Sequence, residues 1–298
     1  MKNIRVSSIS IITPAKGFEE NVSEAVKLIR EALVDEPDLI VLPEAFAYRG
    51  IPIKERIKYA EEGTGYVLDT MVNISSKYGT SILVPILEKE NGRIYNSAIL
   101  VENGKVIGRY RKMFPTISEL EAGISPGTEP SVIKTRFGFI GVAICFDINF
   151  DELFEYYRDR VKLILFPSAF PGGLLLSCRA IQTKSYIVSA VLDEFGVFVD
   201  PLGRILYRSS RYSPVITLEL NLDYEVLHID YNYLKLKKVK EKYGSGVNII
   251  VSRPEAVLIL ESRLRDKSAK DIMEEFTLED RDRYLERSKN FRREILDG

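Results

Sequence analysis

The organisation of the chain is decided by residues 141–147, which read Gly141-Val142-Ala143-Ile144-Cys145-Phe146-Asp147. Small and β-branched apolar residues begin near Phe139 and stop abruptly at a cysteine. A short apolar run of this kind is typical of a buried parallel strand. In open α/β sheets, ligands bind at the carboxyl ends of the strands. The stretch therefore predicts a strand that delivers the Cys145 thiol to a ligand-binding edge.

Two other apolar runs end in a similar way. Residues 38–44 form a predicted buried strand that stops at a proline and then at Glu44, and residues 161–170 repeat this pattern. Before the first of these runs lie a predicted strand, residues 4–12, and an amphipathic helix that we expect Asn21 to cap. A strand, helix and strand in this order imply a right-handed crossover and parallel strands. We therefore predict an α/β fold built from two similar sheet halves.

The character of the chain changes after residue 222. Residues 234–243 are rich in lysine and predict a helix with a solvated face. Residues 247–251 suggest a strand, and Ser268 is expected to cap one long helix that runs to Ile295. We therefore predict a main domain over residues 1–222 and a helical C-terminal extension over residues 223–298, packed on the domain or across a dimer.

Composition excludes several classes of protein. The chain has 298 residues and a formal net charge of -1, which gives no basis for a nucleic-acid or membrane partner. No apolar run is long enough to span a bilayer. The N-terminus enters a strand without the apolar core of a signal peptide, and two cysteines are too few to suggest a disulfide framework. We therefore expect a cytoplasmic protein.

Metal and cofactor chemistry are not expected either. The single histidine, His228, cannot supply a histidine-rich zinc site, and we interpret it as a surface or satisfied polar residue. The sequence contains neither a Walker-type phosphate loop nor a strand followed by GxGxxG and a helix. A nucleophilic cysteine in this chain therefore needs a base other than histidine.

Cys145, Glu44 and Lys112 together can perform acyl transfer. A carboxylate buried beside a thiol would have a raised pKa and could accept the thiol proton. A lysine ammonium would favour the thiolate and stabilise an oxyanion, for which the backbone N–H of Phe146 is a second candidate donor. Taken singly, a cysteine such as Cys145 is more often an inert buried thiol, a glutamate such as Glu44 a cap, and a lysine such as Lys112 a surface residue. Cys178, in the middle of a predicted helix, keeps that structural interpretation.

These motifs, in this order, resemble the nitrilase superfamily of carbon–nitrogen hydrolases. The segments around Glu44, Lys112 and Cys145 match the family's general-base, lysine and nucleophile segments. The matches cover roughly residues 1–222. Supporting matches are Tyr95-Asn96-Ser97-Ala98, Ser125-Pro126-Gly127, Phe166-Pro167-Ser168-Ala169-Phe170, Arg179-Ala180-Ile181 and Asp200-Pro201-Leu202-Gly203.

The resemblance implies a four-layer αββα sandwich and a homodimer, or a larger homo-oligomer, that stacks two sandwiches. It assigns Cys145 as the nucleophile, Glu44 as the general base and Lys112 as the oxyanion stabiliser. Many members use a second glutamate in the loop after the lysine. Glu119 and Glu121 both lie in that loop, and we favour Glu119, seven residues after Lys112.

Three segments depart from the family pattern. Phe150-Asp151-Glu152 stands where the family usually has Phe-Pro-Glu, residues 191–195 are short and lack the common asparagine, and the loop after Phe170 lacks the frequent tryptophan. In the family these segments flank the pocket. The departures therefore bear on the substrate more than on the chemistry.

We therefore expect a hydrolase that cleaves a non-peptide C–N bond of a small linear amide or N-carbamoyl compound. The reaction would pass through a cysteine thioester and release ammonia or an amine. The Cys-Phe-Asp context of Cys145 resembles the amidase and carbamoylase branches more than the true nitrilases, which typically carry Cys-Trp-Glu. The alternatives are nitrile hydrolysis or N-acyl transfer at the same site, and a non-catalytic regulatory member of the fold.

Overall fold

The βαβ unit predicted at the start of the chain is present in the computed structural model, which describes residues 3–298. Strand β1 (Asn3–Ile9) is followed by helix α1 (Phe18–Ala32) and strand β2 (Leu39–Val41). The two strands pair in parallel. The buried positions of α1 recur at helical spacing, so one face of the helix packs on the sheet: Asn21, Val22, Ala25, Leu28, Ile29 and Ala32.

The prediction that Asn21 caps this helix is wrong. The helix begins at Phe18, after the extended residue Gly17, and Asn21 lies one turn inside it. Its side chain is buried and donates hydrogen bonds to the carbonyl oxygens of Ala47 and Arg49, at 3.2 and 2.9 Å. Asn21 therefore satisfies backbone groups of the loop after β2, because a buried amide must find such partners.

The chain continues with three helices and with four more strands of the first sheet. The elements in chain order are α2 (Ile53–Arg56), α3 (Tyr66–Tyr78), β3 (Ser81–Glu90), β4 (Arg93–Glu102), β5 (Lys105–Arg111), α4 (Ile117–Glu121) and β6 (Ile124–Ser125). Strand β3 joins β2 in parallel, whereas β3, β4 and β5 pair antiparallel through turns at the Asn-Gly pairs of residues 91–92 and 103–104.

The second sheet contains the other two apolar runs. Its elements are β7 (Val132–Thr135), β8 (Gly138–Val142), α5 (Asp151–Tyr157), β9 (Leu163–Ser168), α6 (Leu174–Thr183), β10 (Tyr186–Val191), β11 (Val197–Val199) and β12 (Ile205–Arg208). The order is β12-β11-β10-β9-β8-β7, with β8, β9 and β10 parallel. Strand β13 (Val215–Asn221) returns to the first sheet, whose order is β13-β1-β2-β3-β4-β5, with β6 beside β4.

The two sheets pack face to face through β1, β2 and β10. The Ser8 hydroxyl donates to the carbonyl oxygen of Ser189 at 2.6 Å, and the Ser10 and Ser209 hydroxyls share a hydrogen bond of 2.8 Å. Helices α1 and α3 cover the first sheet, and α5 and α6 cover the second. The predicted αββα sandwich is therefore the observed fold.

A close contact fixes the end of β8, just before Cys145. The Tyr157 hydroxyl donates to the carbonyl oxygen of Val142 at 2.6 Å and accepts from the Val142 N–H at 3.2 Å. A Cβ atom at Gly141 would lie 3.1 Å from the Tyr157 ring. Glycine at this position therefore lets α5 hold the strand that carries the thiol.

Residues 221–298 form a second compact unit of the described chain. Its elements are β14 (Tyr224–His228), α7 (Tyr233–Tyr243), β15 (Val247–Ser252), β16 (Val257–Ser262), α8 (Ala269–Glu275) and α9 (Arg281–Asp297). The strands form an antiparallel sheet of order β14-β16-β15. The unit has its own apolar core, which includes Leu227, Val239, Leu258 and Ile272. The expectation that it packs on the first unit or across a dimer stays a prediction.

The prediction of one long helix after Ser268 is wrong. Ser268 does begin a helix, α8, through a capping box with Asp271, but that helix ends at Glu275. Thr277 then adopts a left-handed conformation with φ of 49°, and Asp280 caps α9 by accepting from two backbone N–H groups. A second cap within the segment stops one helix and starts another. Within residues 3–298, no helix is both long enough and apolar enough to cross a bilayer.

Candidate active site

Four side chains singled out in the sequence line one cavity of the first unit. Glu44 follows β2, Lys112 follows β5, Glu119 lies in α4, and Cys145 follows β8. The cavity has a volume of about 180 Å³. The first three residues come from the first sheet and its connections, and the cysteine comes from the second sheet. The site therefore forms where the carboxyl ends of strands from both sheets meet.

Glu44, Lys112 and Glu119 form a buried ion cluster. The Lys112 Nζ atom lies 2.9 Å from Glu44 Oε1 and 2.7 Å from Glu119 Oε2. Burial acts to lower the pKa of Lys112, but the charges of Glu44 and Glu119 outweigh it and hold that pKa above its usual value. Burial likewise acts to raise the pKa of Glu119. The charge of Lys112 and the hydrogen bonds that Glu119 accepts outweigh this effect and hold the pKa of Glu119 below its usual value. Lys112 is therefore held as a cation among the residues that line the cavity.

Asn96 ties the two glutamates together. Its Nδ2 atom donates to Glu44 Oε1 at 2.8 Å and to Glu119 Oε1 at 2.7 Å. Its backbone carbonyl accepts from the Lys112 N–H at 2.8 Å. Reasoning from the sequence missed this role. The sequence feature that pointed to Asn96 was its place in the supporting motif Tyr95-Asn96-Ser97-Ala98. That motif does not indicate which distant side chains Asn96 contacts.

Gly127, in another supporting motif, holds the end of β5 in place. Its N–H donates to the Lys112 carbonyl oxygen at 2.8 Å, and a Cβ atom at this position would lie 2.3 Å from the carbonyl oxygen of Arg111. Only a residue without a side chain fits so close to that backbone. The loop that contains Glu119 and Glu121 is thereby held against the end of β5.

Glu119, and not Glu121, reaches the cluster. Thr116 and Glu119 form a capping box at the start of α4, in which the Thr116 N–H donates to Glu119 Oε2 at 2.7 Å. This arrangement points the Glu119 carboxylate back toward Lys112, whereas Glu121 lies exposed two residues later. The Thr-x-x-Glu spacing is a capping-box signature that could have separated the two candidates from sequence alone.

Cys145 lies on a tight turn after β8. Its φ of 47° is in the left-handed region, and a short 3₁₀ turn, Cys145–Asn149, follows. Such a conformation is unfavourable for a residue with a side chain and is found mostly where a fold needs an unusual side-chain direction. Burial, reinforced by the charge of Glu44, raises the pKa of the Cys145 thiol to about 12, against the opposing effect of Lys112. The thiol is therefore neutral at rest.

Asp147 connects the nucleophile turn to the lysine segment. Its buried carboxylate accepts from the Ile144 N–H at 2.8 Å, from the Phe114 N–H at 2.9 Å and from the Tyr110 hydroxyl at 2.8 Å. Burial raises the pKa of Asp147 to about 7, although these three hydrogen bonds act to lower it. The side chain thus joins the end of β8 in one sheet to the end of β5 in the other.

The other residues discussed from the sequence lie elsewhere. Asp151, which replaces the family's usual proline, forms an ion pair with Arg179. Cys178 is exposed on α6, away from the cavity, and His228 stacks on Tyr284 with ring centroids 3.8 Å apart. Among residues 3–298, no group of three or more His, Cys, Asp or Glu side chains is arranged to hold a metal ion.

Comparison with known proteins agrees with this geometry. A protein-family model described as carbon-nitrogen hydrolase matches residues 5–226. Omega-amidase NIT2 of Xenopus tropicalis is 27% identical over 253 residues, which cover 75% of this chain and 91% of that protein. The chain belongs to the carbon-nitrogen hydrolase family of the nitrilase superfamily.

Solved structures show the same fold. Saccharomyces cerevisiae Nit3, described as a member of branch 10 of the nitrilase superfamily, has a TM-score of 0.66 at 24% identity, covering 74% of this chain and 90% of that one. An amidase from Nesterenkonia sp. has a TM-score of 0.64 at 19% identity, covering 74% and 92%. The predicted family, sandwich fold and amidase-like hydrolase class are confirmed.

The state of the thiol can be measured directly. We expect no thiolate absorbance from Cys145 between about pH 6 and about pH 9, where an ordinary thiol with a pKa of about 8.5 titrates. The spectrum of Cys145→Ala, which keeps Cys178, is subtracted from that of the wild type. In Glu44→Gln, loss of the carboxylate charge should lower the Cys145 pKa by about one unit or more. A wild-type thiolate at neutral pH would contradict this assignment.

Proposed function

We propose that this protein hydrolyses the C–N bond of small linear amides, or of N-carbamoyl compounds, through a thioester on Cys145. The observation that carries the proposal is the Lys112 ammonium, 2.9 Å from Glu44 and 2.7 Å from Glu119 in the cavity that Cys145 also lines. The relatives described as an omega-amidase and an amidase support an amide substrate.

In the first step, the Cys145 sulfur attacks the carbonyl carbon while Glu44 accepts the thiol proton. The proton must leave during the attack, because a thiol with a pKa of about 12 is not ionised beforehand. The carbonyl π electrons move onto oxygen, and Lys112 stabilises the resulting negative charge. The Phe146 N–H, in the first turn of the 3₁₀ segment, is the second donor.

In the second step, the tetrahedral intermediate expels its amine. Glu44 returns the proton to the leaving nitrogen as the C–N bond breaks, which leaves an acyl group on the Cys145 sulfur. Glu44 then takes a proton from water as the water oxygen attacks the thioester. Collapse of the second intermediate releases the carboxylic acid and restores the thiol, so one carboxylate serves both halves of the reaction.

Glu119 acts in this scheme as a positioning residue. It accepts a hydrogen bond from the Lys112 ammonium, as Glu44 does, and the Asn96 amide donates to both carboxylates. Without Glu119, Glu44 would be the remaining carboxylate partner of the Lys112 ammonium. Its distance from the oxyanion position would then no longer be fixed.

Replacement of the nucleophile tests the reaction. Cys145→Ala should lower ammonia release from a panel of linear amides, carbamoyl compounds and nitriles by more than about a thousandfold, because the variant lacks the sulfur atom that carries the acyl group in the proposed intermediate. Cys178→Ala, which removes the exposed cysteine, is the control and should match the wild type. Ammonia release by a folded Cys145→Ala protein would refute the thioester mechanism.

A matched pair of glutamate variants tests the role of Glu119. Glu119→Gln keeps the size of the side chain but removes its charge, and we expect kcat to fall about 10- to 100-fold with a smaller change in KM. Glu121→Gln removes the same charge from an exposed position and should have little effect. Similar losses in both variants, or a loss confined to thermal stability, would argue against a positioning role.

We further propose that the protein is a homodimer. Support comes from apolar side chains exposed on α6 and β12, which cover the second sheet or lie at its edge: Leu174, Leu175, Ile181, Ile205, Leu206 and Tyr207. Exposed apolar surface of this kind is typical of an interface.

Sedimentation equilibrium should give twice the chain mass of 33.9 kDa, and Ile181→Glu should shift the equilibrium to monomer. A wild-type monomer at high concentration would contradict the proposal.

A further inference from the structure

Glu88 is a buried carboxylate that the proposed reaction does not use. It lies on β3, its side chain is 6% exposed, and it lines a second cavity, of about 300 Å³, that Arg109 also lines. The Glu88 Oε2 atom accepts from the Ser97 hydroxyl at 2.8 Å and from the Arg111 Nε–H at 2.9 Å, and Arg109 donates to Oε1. One carboxylate therefore joins β3 to both β4 and β5.

The charge of Glu88 is stabilised by these partners. Burial acts to raise the pKa of Glu88, but the hydrogen bonds from Arg111 and Ser97 outweigh it and hold that pKa below its usual value. Arg111 is held in turn, because its Nη2 atom lies 2.8 Å from Glu90 Oε2 and its guanidinium lies over the Tyr95 ring, 4.1 Å from the centroid. Glu88 therefore stays ionised at neutral pH, against a guanidinium of fixed orientation.

Two contacts of Glu88 are sequence neighbours of active-site residues. Ser97 follows Asn96 on β4, and Arg111 ends β5 immediately before Lys112. Ser97 pairs with Arg111 in the register of the two strands, and on the next rung the Lys112 N–H donates to the Asn96 carbonyl oxygen at 2.8 Å. Side chains alternate between the two faces of a strand, so the neighbours of the Glu88 contacts line the active-site cavity.

The segment of β3 that carries Glu88 is also held at the edge opposite β4. The Glu61 N–H donates to the Leu87 carbonyl oxygen at 2.8 Å, and the Lys89 N–H donates to the Glu61 carbonyl oxygen at 2.7 Å. The Glu61 carboxylate accepts from the Val67 N–H at 2.6 Å, in the first turn of α3. Glu88 therefore lies on a strand that is tied to a helix, and its carboxylate is a fixed point for the two strands beside it.

Net stability is a poor explanation for such a cluster. Removing ions from water is costly, and apolar residues of similar volume can often replace a buried ion pair without loss of stability. Apolar residues cannot supply direction, however. The two oxygens of Glu88 and the planar guanidinium of Arg111 accept and donate along fixed directions, so they set the relative positions of the strands that carry them.

We infer that Glu88 is a positioning residue that fixes Lys112 in the active site from the other face of the sheet. Its carboxylate holds Ser97 and Arg111, and the next rung of the ladder carries the ammonium that stabilises the oxyanion. Misplacement of a catalytic group by about 1 Å can lower a rate about 100-fold, so this support bears on kcat. The inference rests on the proposed amide hydrolysis for its reaction, and adds a residue that acts from outside the active-site cavity.

Two matched carboxylate variants test this role. Glu88→Gln and Glu90→Gln each remove one charge beside Arg109 and Arg111, but the Glu90 side chain is 44% exposed at the end of β3. In Glu88→Gln, kcat for ammonia release should fall about 10- to 100-fold with KM within about twofold, whereas Glu90→Gln should match the wild type. Rates are expressed per reactive Cys145, titrated to completion with iodoacetamide, so that a loss of folded protein does not count as a loss of kcat.

A second pair of variants covers the case in which Glu88→Gln fails to fold. Arg111→Lys keeps the charge next to Lys112 but loses the planar fork that contacts both carboxylates, and should lower kcat in the same way. Arg109→Lys makes the same change two residues earlier, at a side chain that is 45% exposed, and should keep the wild-type kcat. Equal losses of kcat in both members of either pair would overturn the inference. A lower Tm with unchanged kcat per site in Glu88→Gln and Arg111→Lys would overturn it as well.

The rate at which iodoacetamide alkylates Cys145, measured in a Cys178→Ala background, separates this inference from the hydrolase proposal. The charge of Lys112 acts to lower the Cys145 pKa, so displacement of the ammonium should slow alkylation in Glu88→Gln but not in Glu90→Gln. If the wild type releases no ammonia from any amide and the alkylation rates differ in this way, the hydrolase proposal fails and the positioning role stands. If the wild type hydrolyses amides and Glu88→Gln matches it in both kcat and alkylation rate, the hydrolase stands and the positioning role fails.

Discussion

The burial of Lys112 between two carboxylates is the interaction on which the rest of the structure depends. Its side chain is 1% exposed, and removal of a single charge from water costs several kcal/mol even in a relaxed protein. Glu44 and Glu119 offset that cost only when the end of β2, the end of β5 and the start of α4 meet within hydrogen-bond distance. Correct folding of the first sheet and assembly of the charged site are therefore one event.

The nucleophile reaches this cluster from the other sheet. The Glu44 Oε2 atom accepts from the Ala169 N–H at 3.0 Å, at the end of β9, and Asp147 joins the turn after β8 to the segment after β5. These contacts cross the interface between the sheets, so the distance from sulfur to base depends on how the sheets pack. A neutral resting thiol makes that distance important, because the proton must move to Glu44 during the attack.

Much of this could be predicted from the sequence, since buried apolar runs that stop at Glu44 and Cys145 mark strand ends. The βαβ unit and the sandwich followed from the same runs and from the family resemblance. The choice of Glu119 over Glu121 and the break before α9 both depend on local caps, at Thr116 and Asp280, whose signals are present in the sequence. The bridge made by Asn96 could not be predicted, because its partners Glu44 and Glu119 are distant in sequence. Long-range hydrogen bonds leave no pattern in a single sequence.

The position of α2 has a consequence for how such an enzyme can diverge. Its four residues, Ile53–Arg56, lie on the connection between β2 and α3, outside the contacts that hold Glu44, Lys112 and Cys145 together. Substitution in this short helix can change the groups that face the substrate without leaving a buried charge unpaired. The buried charged cluster and the part of the cavity wall formed by α2 are thus carried by different segments of the chain. Substitutions in α2 can therefore change the substrate with little loss of fold stability.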